Sequence, residues 1–336
     1  MVGFSGGMRV ARCYLKDSGV DQVFHVLSRV VDRRYVLGEA EKQVFFGIMR
    51  QAEGFSGVRI LTYCLMENHF HILLRVPRGG SEGLSDAEVF ERMAFAYPRE
   101  RVESLEKEVT LLRRSGLVEK ADRLVSAYRK RMNDLSEFMK MLKQRFTQWY
   151  NRENQRSGTL WEERFKCYLV EGRLGSLKRV AAYIDLNPVR AGMVSNALRY
   201  RWNGIGEAMR GVTPMRAALG SLVDSGRDFR TAEHYFKLYS AYIQEVSRKE
   251  YSKRREREKG QMGGQNPSDP TSPGVLEGVK LIGNALAVGR LEYISEVSKR
   301  LVRSDHPRCS EKNCETVDGQ DVYFLRSRRR YNGFGD

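Results

Sequence analysis

The stretch that decides the fold runs from Leu65 to Leu74 and reads Leu-Met-Glu-Asn-His-Phe-His-Ile-Leu-Leu. Its apolar residues predict a strand, along which alternate side chains point to the same face of a sheet. We therefore expect His69 and His71 to face one point together, while Phe70 turns the other way, into the core. Two imidazoles that converge from one strand supply two ligands of a facial metal site. In isolation, however, the pair fits core or surface histidines equally well.

The amino-acid composition indicates which kind of protein and which kind of partner to expect. The chain has 336 residues, a hydrophobic content of 41% and a formal net charge of +16, which fits one large domain or two ordinary ones. Such a basic balance favours a polyanionic partner, nucleic acid first and an anionic membrane surface second. No apolar run reaches the roughly 20 residues of a membrane helix, and the N-terminus lacks the regions of a signal peptide. Five scattered cysteines indicate reduced thiols, so we expect a cytoplasmic protein without a membrane partner.

Hydrophobic periodicity predicts an α+β fold in the N-terminal part of the chain. β-Forming residues recur over residues 20–31, apolar residues follow at helical spacing over 39–53, and a strand-rich segment over 58–76 carries the two histidines. Residues from about 85 to 135 are charged and carry an apolar stripe, which indicates a helical hairpin packed on its neighbours. Further helices are predicted over residues 138–150 and 177–185.

The C-terminal part is predicted to be helical and basic. A helical basic extension is expected over residues 209–259, followed by a flexible linker over 260–276, where Gly, Pro, Ser and Asn are abundant. Residues 277–336 are predicted to form a small helical, basic unit, which is either an accessory DNA-binding segment or a solvated appendage. His306, Cys309 and Cys314 form a loose group in this unit, but a zinc site would need a fourth ligand and tighter spacing.

A second segment, from Tyr183 to Gly192, can complete the histidine pair. Tyr183 and Asn187 are four residues apart, so a helix stacks them on one face. The Asn187 carbonyl oxygen can ligate a metal, and the Tyr183 phenol can act as a nucleophile one turn away. Each also has a structural interpretation, Tyr183 as a core tyrosine and Asn187 as a helix cap before proline. The two segments together predict a phosphodiester-cleaving site.

Three segments carry a resemblance to a known family: CLMENHFHILLRVP (64–77), GTLWEERFK (158–166) and AAYIDLNPVRAGMV (181–194). In this order and at this separation they resemble the single-tyrosine HUH transposases, specifically the REP-associated tyrosine transposase branch. The resemblance covers residues 1–205 and implies a catalytic domain over residues 1–208, with residues 85–135 as an insertion. It also implies a ferredoxin-like α+β fold with an antiparallel sheet, plus the helical C-terminal region.

The same resemblance implies an activity. His69, His71 and Asn187 match the ligands of a Mg²⁺ or Mn²⁺ ion, and Tyr183 matches a nucleophile that forms a 5′-phosphotyrosine on single-stranded or hairpin DNA. One departure is Glu67, which stands where many relatives have proline and could approach the metal as an extra carboxylate. Other tyrosines and functions stay open. Tyr150 and Tyr168 are alternative nucleophiles, and the alternative function is a catalytically silent, domesticated protein that binds repeat DNA. In either case we expect a monomer or a homodimer.

Several further side chains are candidates for DNA contact or for support of the site. The predicted DNA-binding residues are Arg29, Arg33, Lys143, Arg164, Lys166 and Arg190. A solvated surface explains the same charges almost as well. Trp161 and Phe165 are either core aromatics or base-stacking platforms, and Asp185 either orients a ligand or is a solvated carboxylate.

Overall fold

The structure is a computed structural model. It describes residues 20–223, 229–260, 285–303, 314–317 and 320–326. Residues 261–276 of the predicted linker and the zinc candidates His306 and Cys309 lie outside the described residues.

The described residues form seven strands and eleven α-helices. The strands are β1 (Gln22–Arg29), β2 (Arg59–Leu65), β3 (His69–Val76), β4 (Lys166–Val170), β5 (Ala285–Gly289), β6 (Cys314–Val317) and β7 (Gln320–Arg326). The helices are α1 (Glu39–Ser56), α2 (Asp86–Met93), α3 (Arg99–Arg114), α4 (Val118–Arg129), α5 (Leu135–Glu153), α6 (Leu174–Asp185), α7 (Asn187–Arg190), α8 (Gly204–Met209), α9 (Thr213–Gly220), α10 (Phe229–Gly260) and α11 (Leu291–Arg303). The α+β class predicted from the sequence is confirmed.

All these strands belong to one mixed sheet with the order β2-β3-β1-β4-β5-β7-β6. The first four strands pair antiparallel throughout, with β1 between β3 and β4. Helix α1 follows β1 along the chain, and α5 precedes β4. Strand β5 then joins β4 in parallel. The histidine-bearing strand β3 is therefore an inner strand, with a neighbour on each side to fix its register.

One face of this sheet is the apolar core beneath α1 and α5. Phe70 points into it, 4.8 Å from the Phe45 ring and 5.4 Å from the Trp161 ring, measured between centroids. Phe146 of α5 closes the cluster, 5.1 Å from Phe45. Phe70 thus turns inward, as strand alternation predicts. Helix α1 ends at Ser56 and is followed by Gly57, whose φ of 70° is the left-handed conformation that glycine adopts readily.

Helices α2, α3 and α4 occupy most of the segment for which a charged helical hairpin is predicted. Their buried apolar residues follow helical spacing, with Val102, Leu105 and Val109 on α3 facing Ala121 and Val125 on α4. Asp86 forms salt bridges to Arg113 and Arg129, and these tie α2 to both other helices.

The C-terminal unit differs from its prediction. It was expected to be helical, yet besides α11 it contains β5, β6 and β7, which extend the sheet. The reason is that β5 finds a partner in the free edge of β4, where Leu169 pairs with Ala287 and Val170 with Val288. Short β-forming runs gain backbone hydrogen bonds from such an edge, which the sequence alone does not reveal. Within the described residues, no helix is long and apolar enough to cross a membrane.

Candidate active site

The two predicted histidines lie side by side on the sheet face opposite the aromatic core. Strand β3 begins at His69, which pairs with Arg29 of β1, while His71 pairs with Leu27. Their ring centroids are 5.1 Å apart and their planes nearly perpendicular, at 80°. Helix α6 packs against β2, β3 and β4, and brings the ring of Tyr183 to this face. The structure therefore brings together His69, His71 and Tyr183.

Hydrogen bonding fixes which nitrogen of His69 can act as a ligand. The Asn68 amide nitrogen donates to the carbonyl oxygen of Arg33, at 3.0 Å, so its oxygen faces His69. That oxygen lies 2.6 Å from Nδ1 of His69. Because an amide oxygen only accepts, Nδ1 carries the proton and donates it, and Nε2 keeps its lone pair. A fixed outer partner of this kind is typical of histidines that bind metals.

His71 is held in a similar way, by a residue that the sequence reasoning missed. Nδ1 of His71 lies 3.0 Å from Nε2 of His25, a wholly buried residue of β1. The only signal for His25 was its place in a β-forming run, two residues before Leu27 and so on the same strand face. Sequence spacing could not show that it meets His71, because that contact joins two different strands.

All three imidazoles are neutral at physiological pH. Burial lowers the pKa of His25 to about 3, and burial together with the nearby Arg29 lowers the pKa of His69 to about 4. The pKa of His71 is also well below its usual value, chiefly through burial and then through its histidine neighbours. A neutral imidazole is the form that binds a divalent ion.

Tyr183 stands against these rings. Its ring centroid is 5.8 Å from that of His71 and 6.1 Å from that of His25, both edge to face. Burial raises the pKa of Tyr183, and the guanidinium groups of Arg190 and Arg29 oppose that rise. The phenol is thus neutral in the absence of substrate, and the guanidinium groups of Arg190 and Arg29 would stabilise a phenolate.

The alternative nucleophiles, Tyr168 and Tyr150, are placed less favourably for attack at the histidine pair. Tyr168 lies on the same face, 5.5 Å from His25, but only 3% of it is exposed and burial raises the pKa of its phenol. Tyr150 packs on Phe146, on the other side of the sheet from the histidines. Tyr183 therefore has the best access to the pair among the three.

Asn187 caps the tyrosine helix. It begins α7 directly after α6, and its amide nitrogen donates to the carbonyl oxygens of Tyr183 (3.0 Å) and Ile184 (3.2 Å). These bonds match the capping interpretation and leave the amide oxygen as the atom available to a metal. In the part of the chain that the structure describes, no group of three His, Cys, Asp or Glu side chains could hold a metal ion. Glu67, the proposed extra carboxylate, is exposed and joins no such group.

Arg190 belongs to the site rather than to an open surface. Its guanidinium carbon lies 4.8 Å from the centroid of the Tyr183 ring, and its Nη1 donates to the Tyr183 carbonyl oxygen at 3.3 Å. The side chain is 17% exposed, and its Nε is 3.9 Å from a carboxylate oxygen of Glu250 in α10. Stacking and this ion pair together fix the cation over the phenol.

Asp185, at the end of α6, is buried completely. The hydroxyls of Thr62 on β2 and Tyr239 on α10 each donate to it at 2.7 Å, and the Ile205 backbone N–H donates at 3.4 Å. Burial raises its pKa to about 7. The expectation of a solvated carboxylate is therefore wrong, because Tyr239, 54 residues further along the chain, covers it. Asp185 anchors the tyrosine helix to β2 and α10.

A groove lined mainly by basic side chains lies on the α5 side of the sheet, the side away from the histidines. It has a volume of about 690 Å³ between α5 and residues 159–165, and Lys140, Lys143, Arg164 and Phe165 line it together with Glu137. The Lys143 ammonium donates to the Glu163 carbonyl oxygen, whereas Arg164 and Lys166 are exposed. Trp161 is 6% exposed and packs in the core, so the core interpretation holds for it, while Phe165 is half-buried.

Backbone hydrogen bonds tie this groove to the histidines. The Glu162 N–H donates to the Arg29 carbonyl oxygen, and the Val31 N–H donates to that of Leu160, each at 3.0 Å. Arg29 pairs with His69 on its other side. Arg33 follows in an exposed turn, where Asp32 and Arg33 have φ values of 57° and 52°. The groove and the predicted basic residues Arg29 and Arg33 therefore lie along the strand ends that carry the site.

Comparison with known proteins finds a likeness among solved structures. The sequence matches no family model and no curated protein. Among solved structures, the structure of this chain is similar to that of a REP-associated tyrosine transposase bound to a REP hairpin. The identity is 15%, the TM-score is 0.36, and the match covers 64% of this chain and 90% of the other.

Proposed function

We propose that this protein is a DNA-nicking and strand-transferring enzyme of the single-tyrosine HUH transposase type, acting on single-stranded hairpin DNA. The observation that carries the proposal is the Tyr183 ring, 5.8 Å from the His71 ring, on a face that holds two neutral histidines. A nucleophile and two ligand-type imidazoles rarely meet by chance on one rigid face, and their roles complement each other.

The order of the first four strands supports the same proposal. Along the chain the order is β1, α1, β2, β3, then α2–α4, α5 and β4, and the sheet order is β2-β3-β1-β4. This order supports a ferredoxin-like β-α-β-β-α-β unit into which α2–α4 are inserted. In this unit the two central strands are β1 and β3. The histidines therefore stand on a rigid central strand, which suits a site that must hold its ligands within a narrow tolerance.

The residues fit a divalent ion. With metal–nitrogen bonds of about 2.1 Å, two neighbouring imidazole ligands have ring centroids about 4.5–5.5 Å apart, and the 5.1 Å between His69 and His71 falls in this range. Asn187 would supply the third ligand through its amide oxygen. A ligand set of nitrogen and amide oxygen suits Mg²⁺ or Mn²⁺, and the histidines favour Mn²⁺. Such an ion, when bound, would draw charge from a phosphate oxygen.

The chain's own residues then account for the reaction. The Tyr183 hydroxyl loses its proton to solvent, and its oxygen attacks the phosphorus as the bond to the 3′ oxygen breaks and that oxygen takes up a proton from solvent. The products are a 5′-phosphotyrosine and a free 3′-OH. Attack of a 3′-OH on the phosphotyrosine reverses the step and joins a new strand end. Arg190, stacked on the phenol, offsets the negative charge that develops at Tyr183.

The groove on the α5 side of the sheet offers a path for the strand, which would reach the site past the end of β1. Lys140, Lys143 and Arg164 can contact phosphates, and the half-buried ring of Phe165 offers a face to a base. Arg29, Arg33 and Lys166 continue the positive charge toward His69. A path of this kind matches the +16 net charge of the chain and gives binding that weakens with salt.

The test is a denaturing gel of labelled single-stranded hairpin DNAs incubated with the protein and Mn²⁺. We expect a covalent protein–DNA band with wild type and with the control Tyr150→Phe, but none with Tyr183→Phe or His69→Ala. An adduct that persists in Tyr183→Phe would refute the assigned nucleophile. Metal-independent binding across a hairpin library, with no adduct from wild type, would instead identify a silent repeat-DNA-binding protein.

A further inference from the structure

The contact between His25 and His71 is a directed hydrogen bond. An imidazole nitrogen lies about 1.1 Å from the ring centre, so a head-on N–H···N bond of about 3.0 Å separates the two centroids by about 5.2 Å. The observed nitrogen separation is 3.0 Å and the centroid separation is 5.2 Å. The two nitrogens therefore point directly at each other.

The same distances argue against His25 as a metal ligand. Two neighbouring ligands of one ion whose nitrogens were about 3.0 Å apart would have centroids only about 4.5 Å apart, because both rings point at the ion rather than at each other. In agreement, His25, His69 and His71 do not form a three-ligand cluster within the described residues. His25 instead lies behind His71, wholly buried.

The protonation of this pair decides whether His71 can bind a metal. One proton lies between the two neutral rings, on one nitrogen or the other. If His71 Nδ1 holds it, His71 Nε2 is free to bind. If His25 Nε2 holds it, His71 must carry its own proton on Nε2, the nitrogen that would face the ion. Nδ1 of His25 has no hydrogen-bond partner in the described part of the chain, so it can hold the displaced proton without breaking another bond.

We propose that His25 is a positioning residue that accepts a hydrogen bond from His71 Nδ1 and so presents His71 Nε2 to the metal. This rests on the metal site of the proposed function. His25 would then play the same part for His71 that Asn68 plays for His69, because each proposed ligand donates its Nδ1 proton to a fixed neighbour. A chemically different acceptor with the same reach should serve equally well.

Substitution at His25 separates this role from simple packing. In His25→Gln the amide oxygen can reach the place of Nε2 and accept the bond, whereas His25→Phe keeps a ring of similar size without an acceptor. Binding of Mn²⁺ is measured from the free-ion signal in electron paramagnetic resonance, and thermal unfolding in EDTA reports folding. We expect Mn²⁺ affinity to fall about 10–100-fold in His25→Phe and to stay within about threefold of wild type in His25→Gln.

A second measurement needs no variant. The chain has five histidines, so ring ¹⁵N spectra of histidine-labelled protein with Mg²⁺ contain few signals. We expect protons on Nδ1 of both His25 and His71. A proton on Nε2 of His71, or equal Mn²⁺ affinity in wild type and His25→Phe, would overturn the positioning role alone. Failure of wild type to bind Mn²⁺ would instead overturn the metal site of the proposed function, and this role with it.

Discussion

Asp185 should make the stability of the protein depend on pH in a measurable way. Its folded pKa of about 7 lies above the usual 3.8. Between these values the folded protein holds a proton that the unfolded chain has released, so this carboxyl group lowers the free energy of unfolding as pH rises. At about 1.4 kcal/mol for each pH unit, the full effect is at most about 4 kcal/mol, and it is complete above pH 7.

The buried histidines act in the opposite direction over the same pH range. Their lowered pKa values mean that the unfolded chain binds protons below about pH 6.5 while the folded protein does not. Stability from this source rises with pH. The wild-type curve alone therefore cannot isolate Asp185, and the useful quantity is the difference between wild type and Asp185→Asn.

The assay is urea unfolding of both proteins, followed by circular dichroism from pH 4.5 to pH 8. Asp185→Asn should gain stability relative to wild type as pH rises, by up to about 4 kcal/mol. Tyr239→Phe removes a donor that favours the ionised form but keeps the carboxyl group, so its stability should still fall as pH rises, over a range that extends to higher pH than in wild type. A difference between wild type and Asp185→Asn that stays constant with pH would refute the reasoning, because Asp185 would then ionise in the fold as it does in the unfolded chain.

Two further predictions concern the basic residues. Arg190→Gln should slow formation of the covalent adduct on the order of 100-fold with little change in DNA affinity, because the cation acts on the charge that develops at Tyr183; an equal loss of affinity in a filter-binding assay would contradict this. Replacing Lys143 and Arg164 together by Gln should weaken DNA binding and reduce the slope of log affinity against log salt by about 0.7 for each lost phosphate contact. An unchanged slope would show that the DNA does not bind along the groove.

Local patterns predicted the parts of the site that depend on local geometry. Alternation along β3 sufficed to orient His69, His71 and Phe70, because a strand allows only two faces. The four-residue spacing also predicted that Asn187 lies close to Tyr183; its amide nitrogen donates to the Tyr183 carbonyl oxygen, although Asn187 begins the next helix, α7. The metal ligands and the nucleophile themselves stay predictions until binding and adduct formation are measured.

Contacts between distant segments could not be predicted. His25 meets His71 across two strands, 46 residues apart, and nothing in either local pattern encodes their pairing. Asp185 was expected in solvent as one alternative because a carboxylate at a helix end is usually exposed. The strands of the C-terminal unit were not predicted, because the prediction for that region relied on its composition. The region forms strands because β5 pairs with the edge of β4.

Helix α10 holds the tyrosine helix α6 through Tyr239 to Asp185, and it holds α7, which directly follows α6, through Glu250 to Arg190. Both anchors come from beyond residue 208, where the catalytic domain was expected to end. A shortened protein that stops there would keep every residue proposed for the chemistry but lose the clamp on the helix that presents the nucleophile. We therefore expect the C-terminal segment to have evolved together with the catalytic part. Exchanging this segment between relatives should work only where the recipient also carries residues equivalent to Asp185 and Arg190.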